Sequence, residues 1–381
     1  MIFNSEQKLV QDMVRKFAIN ELAPIALDLD KKAEFPGKTI QKLTELGLAG
    51  IIIPDKYNGS ALDMVSYCII IEELSKVCAS LGFSLIVNNS FVAFPIIKYG
   101  TEAQKNKWLP KIASGECIGS FALYEETYSN IYKENTDISE KITTIAKSTG
   151  NGKYLISGEK VFVVNGETAG VFIVFACIDN KLTAFILPKE GNEENVSFEK
   201  EVMMGMRSAG IGSIKLNNVE VSEENILGEP GKGLEIFERI IESANIAISA
   251  QAVGIMNASL EDSIKYSKER KQFGHPISDF QLIQDAIAEI KIRLDSSRIL
   301  VFETARMYDE GQSFSTTASI TKLVSTESAV WSSIKTVQVH AGYGYTKEYP
   351  IERYFRDAKV TQVFGETPLT QKIKLAKSLL S

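Results

Sequence analysis

Gly342 and Gly344 lie either side of Tyr343 in the run His340-Ala-Gly-Tyr-Gly, and residues without a Cβ let the backbone come close to a bound ligand. Arg270 could meet a pyrophosphate with charge-assisted hydrogen bonds. Taken alone, the same residues read as a helix-breaking turn and a solvated helix cation. Gly228-Glu-Pro-Gly-Lys-Gly looks like a phosphate loop, but no strand-turn-helix GxxxxGK(S/T) pattern accompanies it, so it reads as a surface turn before a helix. Glu238 and Glu242 are carboxylates of the type that serves as a general base. With Arg239 and Asn245 as helix neighbours, they read as solvated or paired. His340 reads as a packed or hydrogen-bonded histidine. The four cysteines, Cys68, Cys78, Cys117 and Cys177, contain no CxxC pair, and His275 is the only other histidine, so a metal site lacks ligands. Such sparse cysteines also argue against a disulfide framework and for a reducing, cytosolic compartment.

The elements that must position these groups come in three blocks. Leu9, Val10, Met13, Val14, Phe17 and Ala18 fall on one helix face, and Pro24 ends that helix or begins the next. Further helices are predicted at 39–48, 63–78, 85–99 and 101–113. The period then changes to short β-branched or alternating runs at 154–156, 160–164, 171–177, 183–187 and 214–221. Turn pairs punctuate them at Asn151-Gly152, Asn165-Gly166, Asp179-Asn180, Gly191-Asn192 and Asn217-Asn218. Helical periodicity returns near 232–270, 278–311 and 314–341, and again after Thr367. The reading is α+β: an N-terminal α-helical domain (1–118), a central antiparallel β-domain (119–228) and a C-terminal α-helical domain (229–381). Strands and helices do not alternate one by one, which excludes the doubly wound nucleotide-binding fold.

The 381 residues are 44% apolar and 24% charged, as in an ordinary globular protein of two or three domains. The 42 basic and 48 acidic side chains leave a net charge of −6 with no basic stripe, so no nucleic-acid partner is expected. The N-terminus is amphipathic rather than signal-like, and the most apolar run, 48–54, is too short to span a bilayer. A cytoplasmic protein without a membrane anchor is expected.

Residues 338–357, QVHAGYGYTKEYPIERYFRD, resemble the C-terminal signature of the acyl-CoA dehydrogenase family through Gln338, Gly342, Gly344, Tyr345, Glu348, Arg353 and Asp357, with Ala341 replacing a usual Gly. YSKERKQFGHPISDFQ (266–281) is similar to the family segment whose Arg and Phe reach the flavin of a neighbouring subunit. Arg270, Phe273 and Gln281 match it. GEKVFVVNG (158–166) resembles the strand beside the isoalloxazine ring, and residues 204–228 resemble the strand pair that closes the β-domain. The resemblance covers essentially the whole chain. It implies the acyl-CoA dehydrogenase fold with a C-terminal four-helix bundle, FAD bound across a subunit interface, a homodimer or homotetramer, and electron-transferring flavoprotein as acceptor.

By that resemblance FAD meets Phe121, Leu123, Tyr124, Thr136, Phe162, Val164, Arg270, Gln272, Phe273, Gln281, Gln338, Gly342, Thr367 and Leu369. Glu242, Asn245 and Gly365 lie toward the substrate. The family's base removes the α-proton of an acyl thioester while hydride leaves the β-carbon for the flavin. It usually stands in a Tyr-Glu-Gly-Thr stretch, and here that stretch reads Phe364-Gly365-Glu366-Thr367, with Glu and Gly exchanged. The minority position for the base, on the long helix, holds Ala244, and Asn245 replaces a usual Arg near CoA. Val164 and Tyr124 replace threonines that contact the flavin, and the polar segment 125–137 is longer than its family counterpart, with Thr136-Asp137 aligned to a Ser-Asp.

Three readings follow. Glu366 acts as the base, since a one-residue shift moves a Cα by roughly 3.8 Å and Gly365 can absorb the adjustment, with Glu242 a distant second. Alternatively FAD is kept and the chemistry differs, as in relatives that act on nitroalkanes or activate oxygen, or the protein is an inactive structural partner. The loss of the Arg at 245 further suggests a thioester on an acyl-carrier protein rather than on CoA.

Overall fold

The computed structural model describes residues 3–126 and 141–380. Thr136, Asp137 and most of the polar segment lie outside the described residues. The N-terminal block holds α1 (Ser5–Phe17), α2 (Ala23–Lys32), α3 (Gly37–Glu45), α4 (Met64–Val77), α5 (Ala79–Ile86), α6 (Phe94–Tyr99) and α7 (Glu102–Ala113). Local chemistry sets several boundaries. Asn4 and Gln7 form a reciprocal capping box at the start of α1, Thr101 and Gln104 do the same for α7, and the Asp63 carboxylate accepts from Ser66 N at 2.7 Å to open α4. Pro24 begins a helix, because an imino nitrogen costs nothing in the first turn.

A helical stretch from Ala79 to Tyr99 is long and apolar enough to cross a membrane, contrary to the expectation drawn from 48–54 alone. Its most apolar window is 89% buried inside the protein, so the core accounts for that apolarity.

The central block is one sheet: β1 (Gly119–Ala122), β2 (Ile145–Ser148), β3 (Lys153–Val163), β4 (Val171–Ile178), β5 (Lys181–Pro188), β6 (Val196–Lys200), β7 (Gly212–Ser222) and β8 (Ile226–Leu227). The order is β6-β7-β3-β2-β4-β5-β8, with β1 also beside β4. The sheet is mixed, which corrects the antiparallel expectation, because both β1 and β2 run parallel to β4. Hairpin signals in the sequence could not reveal those pairings, since parallel neighbours are joined by long connections. Asp179 and Asn180, both at positive φ, make the tight turn expected between β4 and β5. Asn217-Asn218, expected as a turn, instead forms a bulge inside β7 opposite Ser157, whose Oγ accepts from Asn218 N at 3.0 Å.

The C-terminal block contains α8 (Gly233–Glu269), α9 (Gln281–Asp309), α10 (Ser315–His340), α11 (Ile351–Val363) and α12 (Pro368–Leu380), with a small hairpin of β9 (Lys271–Gln272) and β10 (His275–Pro276) after α8. α8 is 37 residues long and buried on all sides in its middle, where it packs on α4, α9, α10 and α11. The signature charges hold the blocks together. Arg356 forks onto Asp30 at 2.7 and 3.0 Å, Asp357 accepts from Met206 N at 2.7 Å, and Arg353 donates to Val77 O at 3.0 Å. The Gly228–Lys232 run is the surface turn leading into α8.

Candidate active site

All three blocks contribute to one cavity of about 380 Å³. Tyr124 and Glu125 follow β1, Val161, Phe162 and Val164 come from the end of β3, Met203 and Ile211 precede β7, and Phe83 reaches it from α5. Val360, Val363, Phe364, Gly365, Thr367 and Thr370 complete it from α11, the loop after it and α12. The end of β3 shows how sequence becomes site. The register with β7 slips between Lys160 and Val163, and Phe162 takes φ +56. A strand residue in that conformation is strained, and bulges re-aim side chains beside functional sites. Here the slip leaves Phe162 half exposed on the cavity wall.

The inner side of the cavity is aromatic. Phe364 packs edge-on against Phe83 with centroids 4.5 Å apart and against Phe91 at 5.0 Å, and Phe91 meets Phe121 at 5.0 Å. The Tyr124 hydroxyl crosses the cavity and donates to Gly365 O at 2.6 Å. Gly365 takes φ +80, and a Cβ there would sit 3.1 Å from Ile241 Cδ1, so glycine suits this point of the loop both conformationally and sterically.

Glu125 is the one carboxylate among the described residues lining the cavity. It accepts from Thr143 and Thr144, through both N–H and hydroxyl, and from Lys160 Nζ at 2.7 Å. Burial opposes its charge, but these donors hold its carboxyl down to about 2. With so many donors committed to it, it is a structural anchor and not a base. Because its carboxyl is more acidic folded than its ordinary value of 4.5, its stabilisation is complete above that pH and is lost as pH falls through about 2. Glu125→Gln should therefore flatten the acid limb of a denaturant-midpoint profile between pH 5 and 3, on the order of the loss linkage assigns to one such group. An unchanged limb removes this assignment.

Glu366, beside the cavity, is buried, and its Oε1 pairs with Lys374 Nζ at 2.5 Å, so its carboxylate is turned toward α12. Its carbonyl and that of Phe364 accept from Lys322 Nζ at 2.9 and 2.6 Å. Burial pulls the Lys322 ammonium down to about 7, with Glu366 opposing the shift. Lys322 and the Glu125–Lys160 pair escaped the sequence reading. The usable signal was a lone charge among apolar residues, as in Ile-Thr-Lys322-Leu-Val.

Of the other expected residues, Tyr124, Phe162, Val164, Gly365 and Thr367 line the cavity, whereas Phe121 and Leu123 are buried behind it and Leu369 is half exposed on α12. Glu242 and Asn245, expected toward the substrate, do not line this cavity. Glu242 pairs with Arg239 at 2.7 Å and accepts from Ser315 at 2.8 Å, while Asn245 is buried and accepts from Gln371 at 3.3 Å. α12 covers that part of α8, which the helix pattern alone could not reveal.

Arg270, Gln272 and Gly342 line a second cavity of about 520 Å³ with Tyr266, His340 and Tyr343. Gln281 and Gln338 are exposed near it in sequence, and Phe273 is 91% exposed on the β9–β10 turn. His340 is packed as expected, stacked 4.1 Å from Tyr266 with Nδ1 2.9 Å from Thr336 O.

The first cavity fits the flat ring of a flavin: the half-exposed Phe162 and the Val161, Val164, Met203 and Ile211 side chains give it apolar walls, and the Thr367 and Thr370 hydroxyls give it a polar edge. Its lining carries no cation for a pyrophosphate. That charge is available from Arg270 in the second cavity, on a hairpin displayed at the surface.

Comparison with known proteins agrees. The family models for the N-terminal, middle and C-terminal domains of acyl-CoA dehydrogenase match residues 4–116, 133–219 and 231–380. The chain is similar over 100% of both chains to one described as the electron transferring flavoprotein of Acidaminococcus fermentans (37% identity, TM-score 0.93). Over the same shares it resembles butyryl-CoA dehydrogenase from Megasphaera elsdenii (35%, TM-score 0.93). It also resembles the prolyl acyl carrier protein oxidase AnaB (33%, TM-score 0.91), over 99% of this chain and 100% of that one. This chain belongs to the acyl-CoA dehydrogenase family, the FAD-dependent flavin oxidoreductases that act on CH–CH bonds.

Proposed function

We propose that this protein oxidises an acyl thioester at its α,β-bond, with Glu366 as the base. The carrying observation is that Phe364, Gly365 and Thr367, which flank Glu366 in the loop where the family usually places its carboxylate, line the ring-binding cavity. FAD, when bound, supplies the acceptor for hydride from the β-carbon. The chain's part is to hold the thioester against the ring, exclude water with Phe364, Tyr124 and Phe83, and take the α-proton on Glu366 once that carboxylate turns from Lys374.

The packed rings behind Tyr124 favour a short acyl group. Likeness to butyryl-CoA dehydrogenase supports CoA as carrier, and likeness to AnaB supports an acyl-carrier protein as the alternative. Electron-transferring flavoprotein as acceptor accords with the Acidaminococcus likeness. A homodimer or homotetramer accounts for Arg270, Gln272 and Phe273 on an exposed hairpin, where they serve a neighbour's FAD.

A second reading, altered flavin chemistry with oxygen, is favoured by the Glu366 carboxylate being held on Lys374 outside the cavity lining. The two are separated by the visible spectrum of the anaerobic holoprotein titrated with acyl-CoA and acyl-carrier-protein thioesters of graded length. Bleaching is expected with short thioesters before long ones. No bleaching by any thioester, with substrate-dependent oxygen uptake, supports the second reading. No response in either assay marks an inactive partner.

A further inference from the structure

The carboxylate assigned as base is held by a cation that has a second anion within reach. Lys374 Nζ lies 2.5 Å from Glu366 Oε1 and 3.8 Å from Glu238 Oε1 of α8. Glu366 is buried, whereas Lys374 and Glu238 are each about half exposed, at 49% and 51%. The half-exposed lysine can therefore change partner at little cost in solvation, and a buried carboxylate cannot. The loop backbone need not follow, because Lys322 Nζ fixes the carbonyls on both sides of Gly365. That ammonium donates to the carbonyl of Glu366 itself at 2.9 Å, so a buried cation stays beside this residue when Lys374 leaves it.

We propose that Lys374 is a positioning residue that alternates between Glu366 and Glu238, and that pairing with Glu238 releases the Glu366 carboxylate toward the cavity. The inference rests on Glu366 being the base. It makes two substitutions act in opposite directions, which general structural damage does not do. Lys374→Met removes the restraint and should raise the rate of flavin reduction by a short-chain acyl-CoA roughly three- to tenfold, the scale of a partly exposed ion pair. Glu238→Gln removes the alternative partner and should lower that rate by a similar factor with little change in KM. Lys374→Arg should restore the rate of the unaltered protein.

A readout independent of turnover is the crystal structure of the Lys374→Met holoprotein, in which the Glu366 carboxylate is expected to line the cavity. A carboxylate still turned toward α8 and α12, or rates that are flat or move together in both variants, overturns the switch. If Glu366→Gln leaves flavin reduction intact, the base assignment fails instead, and the two failures are told apart by that variant.

Discussion

Glu366→Gln should slow reduction of the bound flavin by its best thioester at least about a hundredfold, since a positioned base contributes roughly 10²- to 10⁴-fold. The isosteric amide keeps the volume and removes the basicity. FAD should stay bound, because the Glu366 side chain is turned to Lys374 and does not line the ring cavity. Stopped-flow absorbance under anaerobic conditions, with the flavin content measured in the same sample, reads both quantities. A rate within about threefold of the unaltered protein is too small a loss for a base, and it would assign the base to another group. The exchange of Glu and Gly at 365–366 is what makes this experiment decisive. In this loop the left-handed residue is Gly365, so its neighbour carries the carboxylate.

The second large effect is on stability. Lys160→Met should cost on the order of 3–5 kcal/mol, the usual loss when one partner of a buried ion pair is removed. Lys160 and Glu125 are both buried, and the variant strands a carboxylate whose remaining donors are Thr143 and Thr144. Those threonine contacts hold the loss toward the lower end of that range. Lys160 also donates to Leu123 O and precedes the strained Phe162, so the cavity wall should loosen and FAD should be retained poorly. Denaturant unfolding and flavin content after gel filtration measure both. Glu125→Gln added to Lys160→Met should recover part of the loss, because it neutralises the stranded charge. An unchanged midpoint in Lys160→Met would show that the pair carries no net stabilisation. The contrast with Lys374→Met is a check on scale, since that half-exposed pair should shift stability by less than about 1 kcal/mol.

Much of the architecture was legible in the order of residues. Capping residues at 4, 63 and 101, the apolar face of α1 and the Asp179-Asn180 turn all act within a few residues of themselves, so local chemistry suffices to place them. The α-β-α order and the motifs that mark the family are of this kind, as is the substitution of Gly365 and Glu366 in the loop after α11. Other features depend on distant partners. The parallel neighbours of β4, the bulge at Asn218, the covering of Asn245 by Gln371 and the burial of the Ala79–Tyr99 stretch are decided by what packs against each segment.

The site divides in the same way. By itself the sequence determined that the chain carries flavin-family motifs and lacks the usual carboxylate position, because residue identity is a local fact. Only the tertiary structure decided that Glu366 faces Lys374, that Tyr124 reaches Gly365 O and that Lys322 fixes the loop between them. Side-chain direction and ion-pair choice follow from burial and from charges brought close by folding, and distance along the chain carries neither.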